Sequence, residues 1–491
     1  MKKFCLALVM VLSVFAFMGC DNKEDDVFTI EYYYIMSGTF VPTDLAKVQD
    51  EINEILIEKI DAKVNLHPIS AWSYDERLNI IINASDYFDI CYTSSWTNNY
   101  FRNVSKEAYY DITDIVAEYA PNLYQAIDPL IYDSITIDER LYGVINLQVL
   151  PRTAGYTVEK ESWDAYCLET GFSADMVQDY TDIEGYLAYV LENDPDAYNI
   201  LVPFDPAGIV IGLGFDNIYG MQYPGSISVT DDPSDGITVV NQFATDDYRD
   251  LFRTAVEWYE KGYINEDVLT EAADYTLAYS WMMSTWKPGA EAEEFKRSGN
   301  REMLCIPFSD SVMYNNWTGS NINAISTNSK NPEKCLEFLD LLYTDKELYN
   351  MLVFGLEGDH YTKDATRENY ITAVENTNYS FADVGWQFSN QFNSYLTEYQ
   401  DENVWEDTKT INENAEFSPI MGFVFDYSEV ELELANCYTV YNEYINSLLY
   451  GIFGTGFETQ YNKFLQKLEI AGVNSILEEM QNQLDAWLAS K

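Results

Sequence analysis

The chain has 491 residues, 47% hydrophobic and 15% aromatic, with 81 acidic against 28 basic side chains and a formal net charge of −53. That length and apolar content supply large packed cores, which excludes a disordered chain and points to roughly two or three domains. A surface so acidic repels phosphate backbones, which argues against nucleic acid as a partner, and it disfavours polyanionic substrates in a chain without a basic cluster.

At the start, Lys2 and Lys3 precede an apolar run, Phe4 to Met18, and then Gly19-Cys20. A basic n-region, a short apolar stretch and a small residue before the cut form an export signal. The run is too short for a comfortable membrane span, which needs ~20 residues. With cysteine after the cut, the pattern resembles a bacterial lipoprotein signal. Residues 1–19 would then be the signal peptide, Cys20 the lipidated (palmitate-bearing) mature terminus, and residues 20–27 a polar tether. Phe17 and Met18 depart from the usual residues of that signal, so plain secretion stays open. No later stretch approaches a span, so the expected place is the outer face of a cell membrane.

The folded part opens on Phe28 to Ile35, rich in strand formers. Pro42-Thr43 introduces a helix in which Leu45, Val48, Ile52, Ile55 and Leu56 keep helical spacing. Lys63 to Ile69 alternates like a strand that Pro68 ends, Tyr74 to Ala84 reads as a helix, and Tyr87 to Thr93 as a buried strand. This β-α-β-α-β order predicts an α/β domain with a largely parallel sheet. Asp111 to Tyr119 is helical, Pro121 begins another helix, and Arg140 to Asn146 is a strand. Helices are expected over Tyr180 to Asn193, in Glu257 to Ile264 with the end at Lys261-Gly262, over Ser329 to Tyr343, and over Ala471 to Leu488. Residues 220–245 read as a loop or short β excursion. No central break divides the chain, which suggests lobes built from discontinuous segments.

Seven cysteines are present. Cys91, Cys167, Cys305, Cys335 and Cys437 lie beyond the leader and the lipid site, widely spaced and without a CxxC pair, so neither a zinc site nor a disulfide framework is supported and most should be buried. No calcium loop of the DxDxDG kind occurs. His67 and His360 have no catalytic partner in sequence, and no GxSxG or HExxH motif is present. The expectation is no enzyme, no metal and no cofactor. A glycoside hydrolase remains the alternative, since two carboxylates suffice for that chemistry. The forty tyrosines exceed what a core wants, and with ten tryptophans they supply flat amphipathic surfaces that suit sugar rings.

Asn321-Ile322-Asn323-Ala324-Ile325-Ser326 followed by Ser329-Lys330-Asn331-Pro332-Glu333-Lys334 resembles the extracellular solute-binding proteins of ABC importers. So do Gly355-Leu356-Glu357-Gly358-Asp359-His360-Tyr361, a turn of their lipoprotein subgroup, and Ser418 to Asp426 with Gln483 to Trp487, its C-terminal domain. Phe88-Asp89-Ile90 and Ser94 to Tyr100 fit as well; residues 155–180 and 220–245 match poorly. The resemblance implies a periplasmic-binding-protein-like type II fold: two α/β lobes, 28–145 plus 312–380 and 146–311 plus 381–491, around a central cleft. The lobes would be joined near Gly143 to Leu147, Ile306 to Ser320 and Tyr379 to Trp386. It further implies a monomeric, non-catalytic partner of a membrane permease that delivers a solute. An oligosaccharide is favoured; a peptide-binding or sensory relative is the other reading.

Cleft ligands need stacking surfaces and a few orienting polar groups, which strand ends and their loops supply. The candidates are Trp72 and Tyr74 after the second strand, Ser95, Trp96 and Asn98 (with Asn99) after the third, and Trp317, Trp386 and Phe423 near the crossings. Trp281, Trp286 and Asp89 are secondary candidates, and Gly143 and Gly319 candidate hinges.

Overall fold

A computed structural model describes residues 27–270, 274–283, 285–398 and 400–491. The leader, Cys20 and all but the last residue of the tether lie outside the described residues. Among the described residues no helix is long and apolar enough to cross a membrane.

Two sheets organise the chain. The first has five strands in the order Ala62–Ser70, Phe28–Met36, Ile90–Thr93, Ile322–Ile325, Gly143–Ile145. Phe28–Met36 runs parallel to Ala62–Ser70 from the Phe28–Ala62 pair to the Met36–Ser70 pair, and parallel to Ile90–Thr93. Ile322–Ile325 is antiparallel to both neighbours. The intervening helices, Leu45–Ile60 and Tyr74–Ala84, stand where the apolar spacing predicts them. Pro68 does not end its strand but pairs with Tyr34 inside it. Ala62–Ser70 is an edge strand, so the missing N–H can face outward at no cost to the ladder.

The second sheet is mixed, in the order Met303–Pro307, Gly155–Glu159, Ala278–Met283, Tyr198–Ile200. Gly155–Glu159 is antiparallel to both of its neighbours, and the last strand is parallel to its neighbour Ala278–Met283. The region 220–245 contributes Ser226–Ser228, hairpinned on Phe215–Asn217. The expected C-terminal helix is present as Val473–Ser490, and a further helix, Phe457–Ala471, precedes it across Gly472, which sits in the left-handed region at φ 105°. A side chain there would strike Glu433, so the break serves both chain direction and close packing.

Each sheet has its own core. Tyr32, Tyr34, Val64, Ile90, Leu336 and Phe388 belong to the first, and Tyr156, Trp258, Ile306, Tyr441, Phe464 and Met480 to the second. Tyr379, Phe381, Val384 and Phe388 lie in the first core. Phe381 and Phe388 meet Tyr34 edge-on at 5.2 and 5.1 Å, and the Tyr379 hydroxyl donates to the Leu352 carbonyl at 2.7 Å. The chain therefore leaves the first core later than Trp386, near the Val312–Met313 and Glu416–Phe417 strands, which pair in parallel. The other links are the Leu147 contacts to Ser389 and Gln391 (2.7 and 2.9 Å) and the Arg152–Val312 bridge.

The Gly355–Tyr361 turn is built around a buried histidine. His360 Nδ1 accepts the Leu356 N–H at 2.8 Å, and Nε2 lies 3.1 Å from Asp44. Gly355 has φ 84°, and a Cβ there would sit 2.5 Å from His360 Nδ1. This motif is a clamp between the first helix and the turn. Cys91, Cys305, Cys335 and Cys437 are buried and Cys167 half-buried, all as free thiols, and burial pushes Cys91 and Cys437 up to about 12.

Asp216 is fully buried beside the crossing, and one of its carboxylate oxygens accepts the Asn315 N–H at 2.8 Å while the other has no partner. Burial raises its pKa to about 6. A carboxyl raised above its unfolded value of about 4 binds more protons folded than unfolded between those limits, so stability falls as pH rises from about 4 to about 6. Asp216→Asn keeps an acceptor for Asn315 and is expected to remove that slope and to raise the pH 7 unfolding free energy by about 1–3 kcal/mol. Urea titrations from pH 4 to 8 check it; an unchanged slope would contradict it.

Candidate functional site

The loop after Ile90–Thr93 is tightly built. Ser94 Oγ accepts the Thr97 N–H at 2.9 Å, and Asn98 sits at φ 44° with its amide donating to the Tyr92 carbonyl (2.9 Å) and the Tyr109 hydroxyl (3.1 Å). Asn98 is thereby spent on the loop itself and fully buried. The effect is to hold Trp96 outward, half exposed, with its ring 6.1 Å from Tyr92 and 6.3 Å from Trp386. Trp386 meets Tyr92 edge-on at 5.4 Å. It is fixed by the Asn321 amide on its carbonyl (2.7 Å), while the next residue, Gln387, bonds both backbone groups of Ile35.

Trp317 stands on the short helix Asn315–Thr318, half-buried, with the Arg152 guanidinium 5.8 Å from its ring centroid. Trp96, Trp317 and Trp386 all face one cavity of about 560 Å³. Trp96 and Trp386 stand on the first-lobe side, while Trp317, packed on the second core, shares the opposite wall with Asp205, Pro206, Met221, Met282 and Met283. The lining mixes aromatic and apolar side chains with polar ones such as Gln148, Arg152, Thr285 and Asn321, which can fix the orientation of a small molecule.

Most charges on this wall are already engaged. Lys287 pairs with Glu293 at 2.6 Å and Arg297 with Glu294 at 3.3 Å. Glu294 also accepts the Trp281 indole N–H at 3.1 Å. Asp205 caps the Pro206–Gly212 helix, accepting the Ala207 and Gly208 N–H groups at 3.0 and 2.9 Å. Burial raises both Asp205 and Glu294 above the usual carboxylate range. Among the described residues no cluster of three His, Cys, Asp or Glu side chains could hold a metal.

The cavity abuts two others. One of about 440 Å³ shares Lys287, Glu293 and Arg297 with it and reaches Asp383, Tyr395 and Trp405. A small one of about 40 Å³ shares Ser320 and is lined by Ser95, Phe423, Tyr219 and Tyr427. The three make one elongated groove between the lobes.

The structure thus gathers Trp96, Trp317 and Trp386 in the main cavity and sets Ser95 and Phe423 beside it. Trp72 is 89% exposed in the turn after its strand and lines none of these cavities. Tyr74 is fully buried, its hydroxyl donating to the Tyr33 and Tyr92 carbonyls (3.2 and 2.9 Å). Trp281 is core, Trp286 donates to the Cys305 carbonyl at 3.1 Å, and Asp89 takes the Glu31 N–H and the Tyr87 hydroxyl. A side chain at Gly143 would strike Ile322 and one at Gly319 would strike Ser134, so close packing accounts for both glycines. Sequence reasoning missed Tyr92, Arg152, Met282 and Met283. Tyr92 reads as one more buried strand residue, and Arg152 lies in a crossing that no motif marks.

Residues 419–489 match the model of the family described as Domain of unknown function (DUF3502). A "Carbohydrate ABC transporter substrate-binding protein" of Streptococcus pneumoniae serotype 4 is 26% identical over 458 residues, covering 92% of this chain and 89% of that one. The crystal structure of the N-glycan transport solute binding protein NgtS from Streptococcus pneumoniae superposes with a TM-score of 0.81 at 24% identity, over 94% of this chain and 99% of that one. The same protein in complex with Man1GlcNAc gives 0.76 at 25% identity and the same coverage. The fold is therefore the periplasmic-binding-protein-like type II fold of solute-binding proteins.

Proposed function

We propose that this chain, a homologue of the solute-binding proteins of ABC importers, captures an oligosaccharide in the inter-lobe groove and passes it unaltered to a membrane permease. One observation carries the reading: Trp96, Trp386 and Tyr92 of the first lobe face Trp317, two methionines and Pro206 of the second across one cavity. Indole faces match the apolar faces of sugar rings, and the engaged amide and charged groups at their edges can meet hydroxyls. The continuation of the cavity in two directions suits a chain of sugars better than a single ring. The relatives named above support a carbohydrate, and theirs is a role in binding rather than turnover. In this reading the contacts are Trp96, Trp317, Trp386 and Tyr92, with Ser95 and Phe423 flanking, and the lobes close because the ligand binds the closed state better than the open one. The mature chain is held at the outer face of the membrane through lipid on Cys20.

Calorimetric titration with neutral mannose-containing oligosaccharides is expected to show tight binding. Saturable binding of a basic peptide with none of any glycan would overturn the ligand class.

A further inference from the structure

Arg152 differs from the other cations of the groove. Lys287 and Arg297 each face a glutamate, whereas no carboxylate among the described residues lies within ion-pair distance of Arg152. Its guanidinium donates from Nη1 to Thr285 Oγ1 at 3.1 Å, and its Nε is buried without a partner. The ring it lies over, Trp317, also has its Nε1 buried without a partner. Burial lowers the Arg152 pKa to about 10, with Tyr92 opposing that shift, so the group stays charged at neutral pH.

A chain with 81 acids against 28 bases has no shortage of carboxylates to pair with a half-buried arginine. Arg152 lines the cavity with no carboxylate to neutralise it, and a cation so placed calls for an acceptor from outside the protein. Resting on the carbohydrate reading above, we propose that Arg152 determines specificity: the sugar held at the tryptophan wall carries an sp2 oxygen acceptor, an acetamido carbonyl or a carboxylate, that Arg152 binds. Arginine and indole groups only donate. A hydroxyl would bring a proton of its own into a corner where these two groups offer nothing to receive it, while a carbonyl or carboxylate only accepts and fits the planar guanidinium.

The test titrates the mature protein and its Arg152→Gln variant with three sugars of matched length: cello-, chito- and cellouronic oligosaccharides, which differ in hydroxyl, acetamido and carboxylate groups. The wild type should prefer the acetamido or the carboxylate series over the hydroxyl series by about tenfold to a hundredfold, and Arg152→Gln should erase that preference. A carboxylate is identified by affinity that weakens with added salt, which a neutral carbonyl does not show. Equal affinity of the wild type for all three series would overturn the proposal, as would an equal loss for all three in Arg152→Gln. So would failure of all three while a mannose oligosaccharide binds, which leaves the groove reading standing. Failure of every glycan would end the groove reading itself. The wild-type comparison decides the matter even if a variant does not fold.

Discussion

Replacing Trp96 and Trp386 together by alanine is expected to weaken binding of the glycan by ~100-fold or more. Central aromatic anchors of an interface typically contribute about 2 kcal/mol or more each when truncated, and each 1.4 kcal/mol is tenfold. The two rings lie 6.3 Å apart at the mouth and floor of one wall, so a sugar stacked on one is bounded by the other. Trp96 alone separates binding from folding. Its ring is half exposed and its loop is held by Ser94 and Asn98 rather than by the indole. Trp96→Ala should therefore leave the unfolding free energy within about 0.5 kcal/mol while weakening the glycan clearly. Calorimetry paired with urea unfolding reads both numbers. Unchanged affinity in the double variant would place the sugar elsewhere.

Asn323→Ala should have the largest effect on stability, a loss of about 3 kcal/mol or more in urea unfolding. Its amide donates to Asn146 Oδ1 at 2.8 Å and to the Gln387 carbonyl at 3.0 Å, while its oxygen accepts the Tyr32 hydroxyl at 3.2 Å. Asn146 Oδ1 also accepts the Ser389 N–H at 3.0 Å. All these groups are buried, so truncation strands several of them at a cost of about 1–3 kcal/mol each, moderated by local relaxation. The network joins the strand Ile322–Ile325, the Gly143–Asn146 exit and the segment that carries Trp386. Loosening it should lower glycan affinity as well, through misplacement of that tryptophan. A variant as stable as the parent would show that the network is incidental.

Local alternation made the first sheet legible: Ile30, Tyr32 and Tyr34, then Val64, Leu66 and Pro68, lie on registers that one buried face dictates. The second sheet was not, because Gly155–Glu159 and Ala278–Met283 pair across more than a hundred residues and neither has a period that separates it from other apolar runs. Trp317 could be named because polar and small neighbours leave it poor as core, Trp96 because it follows a strand end, and Trp386 because it lies near an expected crossing. Tyr74 and Asn98 had the same company yet are buried, their polar groups answering backbone carbonyls that only tertiary pairing creates. Trp72 follows a strand end as Trp96 does, but its turn leaves it 89% exposed and away from the groove. Arg152 is marked only by what it lacks, an acid partner, which no sequence displays.

Hydrogen exchange measured with and without a saturating oligosaccharide tests the central claim most directly, provided the sugar is weighed by mass spectrometry afterwards. The account predicts added protection on both walls at once, around Tyr92 to Asn98 on the first-lobe side and Asn315 to Trp317, Asp205 to Ala207 and Glu293 to Arg297 on the other, with the sugar recovered at its original mass. Protection confined to one lobe, or recovery of shortened sugar, would contradict it.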